Sequence, residues 1–152
     1  MRGNIIKFLI IYLAFCMSGS LSAQSIYDME GHKFASKLSE NALNVTGSIF
    51  IIKDGKLIEF IDGQEREDLP INYFIQEDGR VKYFNSHNRY VGYLLLSENR
   101  YYQVNQGKTD EQIALLYNKE IYTIDEKPRY QIDNSFDPVW VGCILFFFLM
   151  TN

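Results

Sequence analysis

Two cysteines, two histidines and three prolines in 152 residues leave little of what disulfide scaffolds and metal centres are made from. Cys16 falls in an N-terminal stretch with the features of an export signal: Arg2 and Lys7, an apolar Phe8–Met17, then small residues from Ser18 to Ala23. Cleavage after Ala23 leaves Cys143 as the only thiol, so no intramolecular disulfide can form even in an oxidising compartment. Cys16 also allows lipidation, but the bulky Phe15 before it disfavours that reading. Neither His32 nor His87 has a second histidine or cysteine at ligand spacing, so no zinc site is expected. A calcium loop would need alternating oxygen ligands, and none is present. A Gly-x-Ser-x-Gly elbow, a phosphate loop and a dinucleotide fingerprint are also missing, and no cofactor is expected. No apolar run reaches the roughly 20 residues that cross a bilayer as a helix.

Positive charge is scarce too. Without Arg2 and Lys7, thirteen basic residues face nineteen acidic ones, a net charge of −6 for residues 24–152. Such a surface repels nucleic acid and anionic lipid, so neither is expected as a partner.

Two features stand out among what is there. The first is Val139–Met150, twelve residues with no charge and no polar face. Asp137-Pro138 precedes it, an N-cap carboxylate followed by proline at the first helical position, where no N–H is missed. The run therefore predicts a helix over 138–150, about 18 Å long at about 1.5 Å per residue. Gly142 within it costs about 1 kcal/mol of helix propensity relative to alanine. Cys143 in this run reads as a small buried hydrophobe.

The second feature is a recurring turn. Glu30-Gly31, Asp54-Gly55, Asp78-Gly79, Glu98-Asn99 and Asn118-Lys119 separate apolar runs, the best short-range hairpin signal. Eight residues later comes a second polar break, at Asp62-Gly63, Ser86-His87, Gln106-Gly107 and Glu126-Lys127, with a weaker one near Leu38-Ser39. This reads as an internal repeat of about five hairpins. Residues at matched positions are apolar: Ile49 and Ile51, Tyr73 and Ile75, Tyr93 and Leu95, Ile113 and Leu115 on the incoming strands. On the outgoing strands they are Ile58 and Phe60, Phe84, Tyr102 and Val104, Tyr122 and Ile124, with Lys82 the exception. Spacing of two puts each pair on one face. Such hairpins need a common object to pack on. The expected fold is mainly β: repeated hairpins around a buried C-terminal helix, a closed or nearly closed barrel or flower. One domain spans 24–152.

The repeated Asp-Gly hairpins, Asn88–Tyr93 (Asn-Arg-Tyr-Val-Gly-Tyr), the export signal and the Trp/Phe-rich last segment together resemble the five-fold beta-flower family of small exported bacterial proteins. Tubby-like barrels, whose strands wrap an apolar C-terminal helix and some of which bind phosphoinositides, are a looser likeness. The first resemblance implies five β units and brings no catalytic residues.

Function is less legible. His32 and His87 read as solvated loop residues. The carboxylate pairs Glu77-Asp78 and Asp125-Glu126 sit at exposed tips, without the apolar cleft that acid–base work needs. Gln64–Asp68 reads as a charged loop. Arg89, Tyr90, Arg100, Tyr101 and Tyr130, placed at strand ends and outward positions, are the candidate binding residues, because tyrosine and arginine supply rigid contact area and planar hydrogen bonding. The expected role is a non-catalytic binding or structural module of the cell envelope, periplasmic or extracellular, with a glycan or protein partner and room for self-association. The alternatives are a tubby-like lipid- or membrane-associated protein and a small envelope hydrolase.

Overall fold

The computed structural model of the chain describes residues 24–66, 71–133 and 136–149. The expected export signal lies outside them, as does Met150. Among the described residues, thirteen strands form one antiparallel sheet followed by a single helix. The strands are β1 Ser25–Asp28, β2 Lys33–Ser39, β3 Ala42–Val45, β4 Ser48–Lys53, β5 Lys56–Ile61, β6 Gln64–Arg66, β7 Tyr73–Glu77, β8 Arg80–Phe84, β9 Tyr90–Leu95, β10 Arg100–Gln103, β11 Glu111–Tyr117, β12 Glu120–Thr123 and β13 Pro128–Ile132. The helix, α1, is Pro138–Leu149.

Each strand pairs with its neighbour in sequence from β1 to β6 and again from β7 to β13. The two meanders join where β1 pairs β13, with Ile26 opposite Ile132. That leaves β6 and β7 as the edges, so the sheet is not closed. On that open side the Leu57 N–H donates to the Asn72 carbonyl. Register shifts in five of the pairings, for example between Tyr101 and Tyr102, mark bulges, which bend a sheet and add twist.

The helix forms as its sequence dictates. Asp137 caps it: the Val139 N–H donates to Oδ1 at 2.9 Å, and Trp140 and Val141 donate to the Asp137 carbonyl at 3.0 and 3.2 Å. Such a cap contributes about 1 kcal/mol. Trp140, Val141, Cys143, Ile144, Leu145 and Phe146 are all buried. They form one cluster with Leu43, Phe50, Leu57, Val81, Tyr83, Leu94, Tyr101 and Ile121 from the sheet.

That cluster corrects the expected inner face. On β4 and β5 the buried residues are Phe50, Leu57 and Glu59, whereas Ile49 is 37% exposed and Ile51, Ile58 and Phe60 are partly so. Tyr73 and Ile75 flank Phe74, which packs against Trp140 at 6.4 Å between ring centroids. Val81 and Tyr83 point in, Lys82 and Phe84 out; Ile121 points in, Tyr122 and Ile124 out. The matched pairs thus lie mostly on the outer face, although Tyr93 is buried there and Ile113 packs on the core beside a bulge. Glu59, opposite Phe50, is the one buried charged residue described, with Arg66 Nη1 3.9 Å from its carboxylate.

The hairpin count changes as well. Strands β3, β6 and β13 add to the expected pairs, and Gln64–Arg66, read as loop, is β6. Five two-residue turns have positive φ at both positions, at residues 46–47, 54–55, 62–63, 78–79 and 118–119, the geometry that continues the twist of flanking strands. Thr46 at φ 48 is the costly one, because a β-branched side chain is strained there. Thr46→Asn is expected to raise stability by about 1 kcal/mol, seen as a higher urea midpoint. An unchanged or lower midpoint would contradict the strain.

Candidate functional site

Among the described residues, the void between Leu43, Phe50, Leu57, Trp140, Cys143 and Phe147 is about 10 Å³, the size of a single water site. Cys143 lines it, and burial pushes its thiol well above the ordinary range, which makes it a poor nucleophile.

The outer face of β7–β10 is different. Because Val81, Tyr83, Leu94 and Tyr101 turn inward, their neighbours stand outward and meet across the strands. Tyr73 stacks on Phe84 at 4.7 Å and 2° between ring planes. Phe84 lies 5.5 Å from Tyr90, Tyr90 lies 6.4 Å from Tyr93, and Tyr93 stacks on Tyr102 at 5.1 Å and 13°. Five rings thus cross four strands as a ladder, in which Tyr90 and Tyr93 share β9 and each cross-strand pair contributes about 0.2–1 kcal/mol. In the two stacked pairs the ring faces cover each other, and Tyr93 is buried within the ladder, so Tyr73, Phe84, Tyr90 and Tyr102 are its partly exposed rings.

Cations line the same face. The Arg80 guanidinium sits 4.8 Å over the Tyr93 ring, and Lys82 Nζ is 6.0 Å from the Tyr90 ring. Lys82 also forms an ion pair with Glu77. Burial pushes the Tyr90 phenol up to about 12, with Tyr93 beside it adding to the shift. Burial and the nearby Asp110 carboxylate raise Tyr93 too. Both phenols therefore stay neutral and can donate as well as accept.

Of the expected binding residues, two belong here. Tyr90 is a member of the ladder, and Arg89, next to it in the Asn85–Arg89 loop, is exposed with its N–H donating to Asn85 Oδ1 at 3.0 Å. Arg100 lies further along the face, opposite Leu95, held by Glu98 at 3.3 Å and by Gln112 Oε1 at 2.9 Å. Tyr101 is not outward. It is fully buried and its hydroxyl donates to the Pro138 carbonyl at 3.0 Å, because the alternation that sends Tyr102 out sends Tyr101 in. Tyr130 packs against Phe34 at 4.7 Å and against the core, away from the ladder. Sequence reasoning missed Tyr73, Arg80, Phe84, Tyr93 and Tyr102 as outward residues. Lys82 was the available signal, since a lysine among matched apolar positions marks a solvent face.

Both histidines are exposed. His32 Nδ1 is 3.1 Å from Asp28 Oδ2, and with Glu30 these groups place three potential metal ligand atoms within 4.8 Å of one another. The arrangement follows from the turn: Asp28 Oδ1 accepts the N–H groups of Glu30 at 2.9 Å and His32 at 2.8 Å. The hydrogen bond from the His32 backbone is the main influence holding the Asp28 carboxyl below its usual range. These contacts are those of a capped turn.

No helix among the described residues is long and apolar enough to cross a membrane. No protein-family model, curated protein or solved structure matches the chain.

Proposed function

We propose that the chain is an exported, non-catalytic binding module of the cell envelope whose partner docks on the outer face of β7–β10. The ring ladder from Tyr73 to Tyr102, with Arg80, Lys82 and Arg89 along it, is the observation that carries this reading. Neutral phenols suit the hydroxyls of sugars, and the cations suit the carboxylates of envelope glycans and their peptide stems. The resemblance to the beta-flower family belongs to the same proposal, with β3, β6 and β13 as additions to five two-stranded units. In this reading the export signal is removed before the module folds.

Retention on insoluble envelope polymer tests it. Arg89→Ala and Tyr90→Ala are each expected to weaken retention at least tenfold, the loss of about 1.4 kcal/mol. Folding stability should move by less than about 1 kcal/mol, since Arg89 is exposed and Tyr90 is a partly exposed ring at the outer surface. Retention that is absent, or indifferent to both changes, argues against the reading.

A structural reading has its own support in the exposed Ile49, Ile75 and Ile124, 37%, 47% and 64% accessible on the outer face. It leads to self-association on size exclusion, reduced when Ile75 and Ile124 become serine.

A further inference from the structure

We propose that the ligand of the ring ladder is a linear polysaccharide of uronic acids, and that Arg80 selects it by taking a sugar carboxylate. The inference rests on the outer face of β7–β10 being the binding face, and it names the ligand class and the residue that reads it.

Ring geometry narrows the choice of ligand. Tyr73 and Phe84 cover each other's faces, and Tyr93 is flanked by Tyr102 from β10 and by the Arg80 guanidinium from β8. A neutral sugar binds by lying flat on a ring, and in these pairs the facing surfaces are already occupied. Charge and hydrogen bonding are what this part of the face can offer.

Arg80 is placed to offer both. Glu77 stands directly opposite it in the β7–β8 register, yet the ion pair of Glu77 is with Lys82. The exposed guanidinium instead lies 4.8 Å over the Tyr93 ring. A guanidinium resting on an aromatic face keeps the N–H donors at its rim free, in the planar fork that takes a carboxylate through two parallel hydrogen bonds. Its positive charge acts on both Tyr90 and Tyr93 against the effect of burial, and Asp110 acts on both in the opposite sense. Asp110 directly precedes β11, on the other flank of β9, so an anion is drawn to the β8 side. The neutral Tyr90 phenol near Arg80 suits a hydroxyl of the same sugar.

The wider surroundings favour an anion here as well. Residues 73–103 carry four basic and three acidic side chains, whereas residues 24–152 carry thirteen and nineteen. A polyanion therefore meets less repulsion on this stretch than over the rest of an acidic protein. A uronic acid brings one carboxylate and several hydroxyls per ring, which matches one guanidinium set among phenols; an acidic peptide brings the carboxylates without the hydroxyls.

Calorimetric titration of the full chain with trigalacturonate and with its methyl ester tests the assignment. The ester, which has the same sugar backbone without charge, is expected to bind about tenfold more weakly, the loss of a charge-assisted pair. Arg80→Gln should bring the acid down to the level of the ester and leave the ester's own binding unchanged. Failure of trigalacturonate to bind, an ester that binds as well as the acid, an Arg80→Gln change that weakens both alike or neither, or poly-L-glutamate binding more tightly than trigalacturonate overturns the proposal. If that happens while retention on envelope polymer still depends on Tyr90, the ladder remains a binding face for another ligand; retention indifferent to Tyr90 removes both readings.

Discussion

Alanine at position 142 is expected to destabilise the fold by about 2–4 kcal/mol, although helix propensity alone would make it stabilising by about 1 kcal/mol. A Cβ there would overlap the hydroxyl and the ring of Tyr83. Tyr83 has nowhere to go: it is fully buried, its hydroxyl donates to the Val139 carbonyl at 2.9 Å, and its ring lies 4.8 Å from Phe146. Overpacking costs about 1–3 kcal/mol, and a displaced hydroxyl left without a partner about 1–3 kcal/mol more. The same logic makes Gly92→Ala severe, since a Cβ there would meet both the Phe146 ring and the Tyr102 carbonyl, which is backbone. These two glycines let sheet and helix approach closely, one from each side. Urea unfolding measures both. Adding Tyr83→Phe to Gly142→Ala should recover part of the loss, because it removes the atom nearest the intruding methyl. A Gly142→Ala protein as stable as the parent would show that the contact is not tight.

Alkali is the second large lever. Tyr83 and Tyr101 are buried and both donate to carbonyls of the first helical turn. Burial raises both phenols well above the ordinary value of 10. A group whose pKa is higher in the folded chain favours folding fully below its unfolded value and loses that contribution as pH rises toward its folded one. Stability should therefore hold up to about pH 10, then fall by about 1.4 kcal/mol per pH unit for each phenol, or about 2.7 for the pair. Two units of pH would remove about 5 kcal/mol, comparable with the whole stability of a small domain. Urea midpoints across this range, with phenolate absorbance as the second signal, measure it. The Tyr83→Phe, Tyr101→Phe double variant should show a flatter profile; the same slope in both proteins would place the alkaline transition elsewhere.

How far the sequence could be read depended on which scale each feature belongs to. The helix was legible because Asp137-Pro138 and a charge-free run are local signals, and Gly-containing turns such as Asp54-Gly55 were legible for the same reason. Which strand face turns inward was not. Ser48–Lys53 has isoleucine or phenylalanine at both parities, so alternation could not choose between Phe50 and its neighbours, and a one-residue shift swaps the two faces entirely. Glu59 made matters worse by putting a charge on the inner side, while Lys82 put one outside. Strand β3 escaped notice because Thr46-Gly47 does not announce a turn. Of the ring ladder, Tyr90 was identified, but the adjacent pair Tyr101-Tyr102 was read with the wrong member outside.

The position of α1 in the chain has a consequence for how the protein is made. The helix at the centre of the core cluster follows all thirteen strands, and β1 must wait for β13 to find its partner. Until that segment has left the ribosome, the emerging strands have edges but no centre, and contacts this distant in sequence form slowly. The polypeptide is therefore expected to stay open until that segment has emerged and to condense only afterwards.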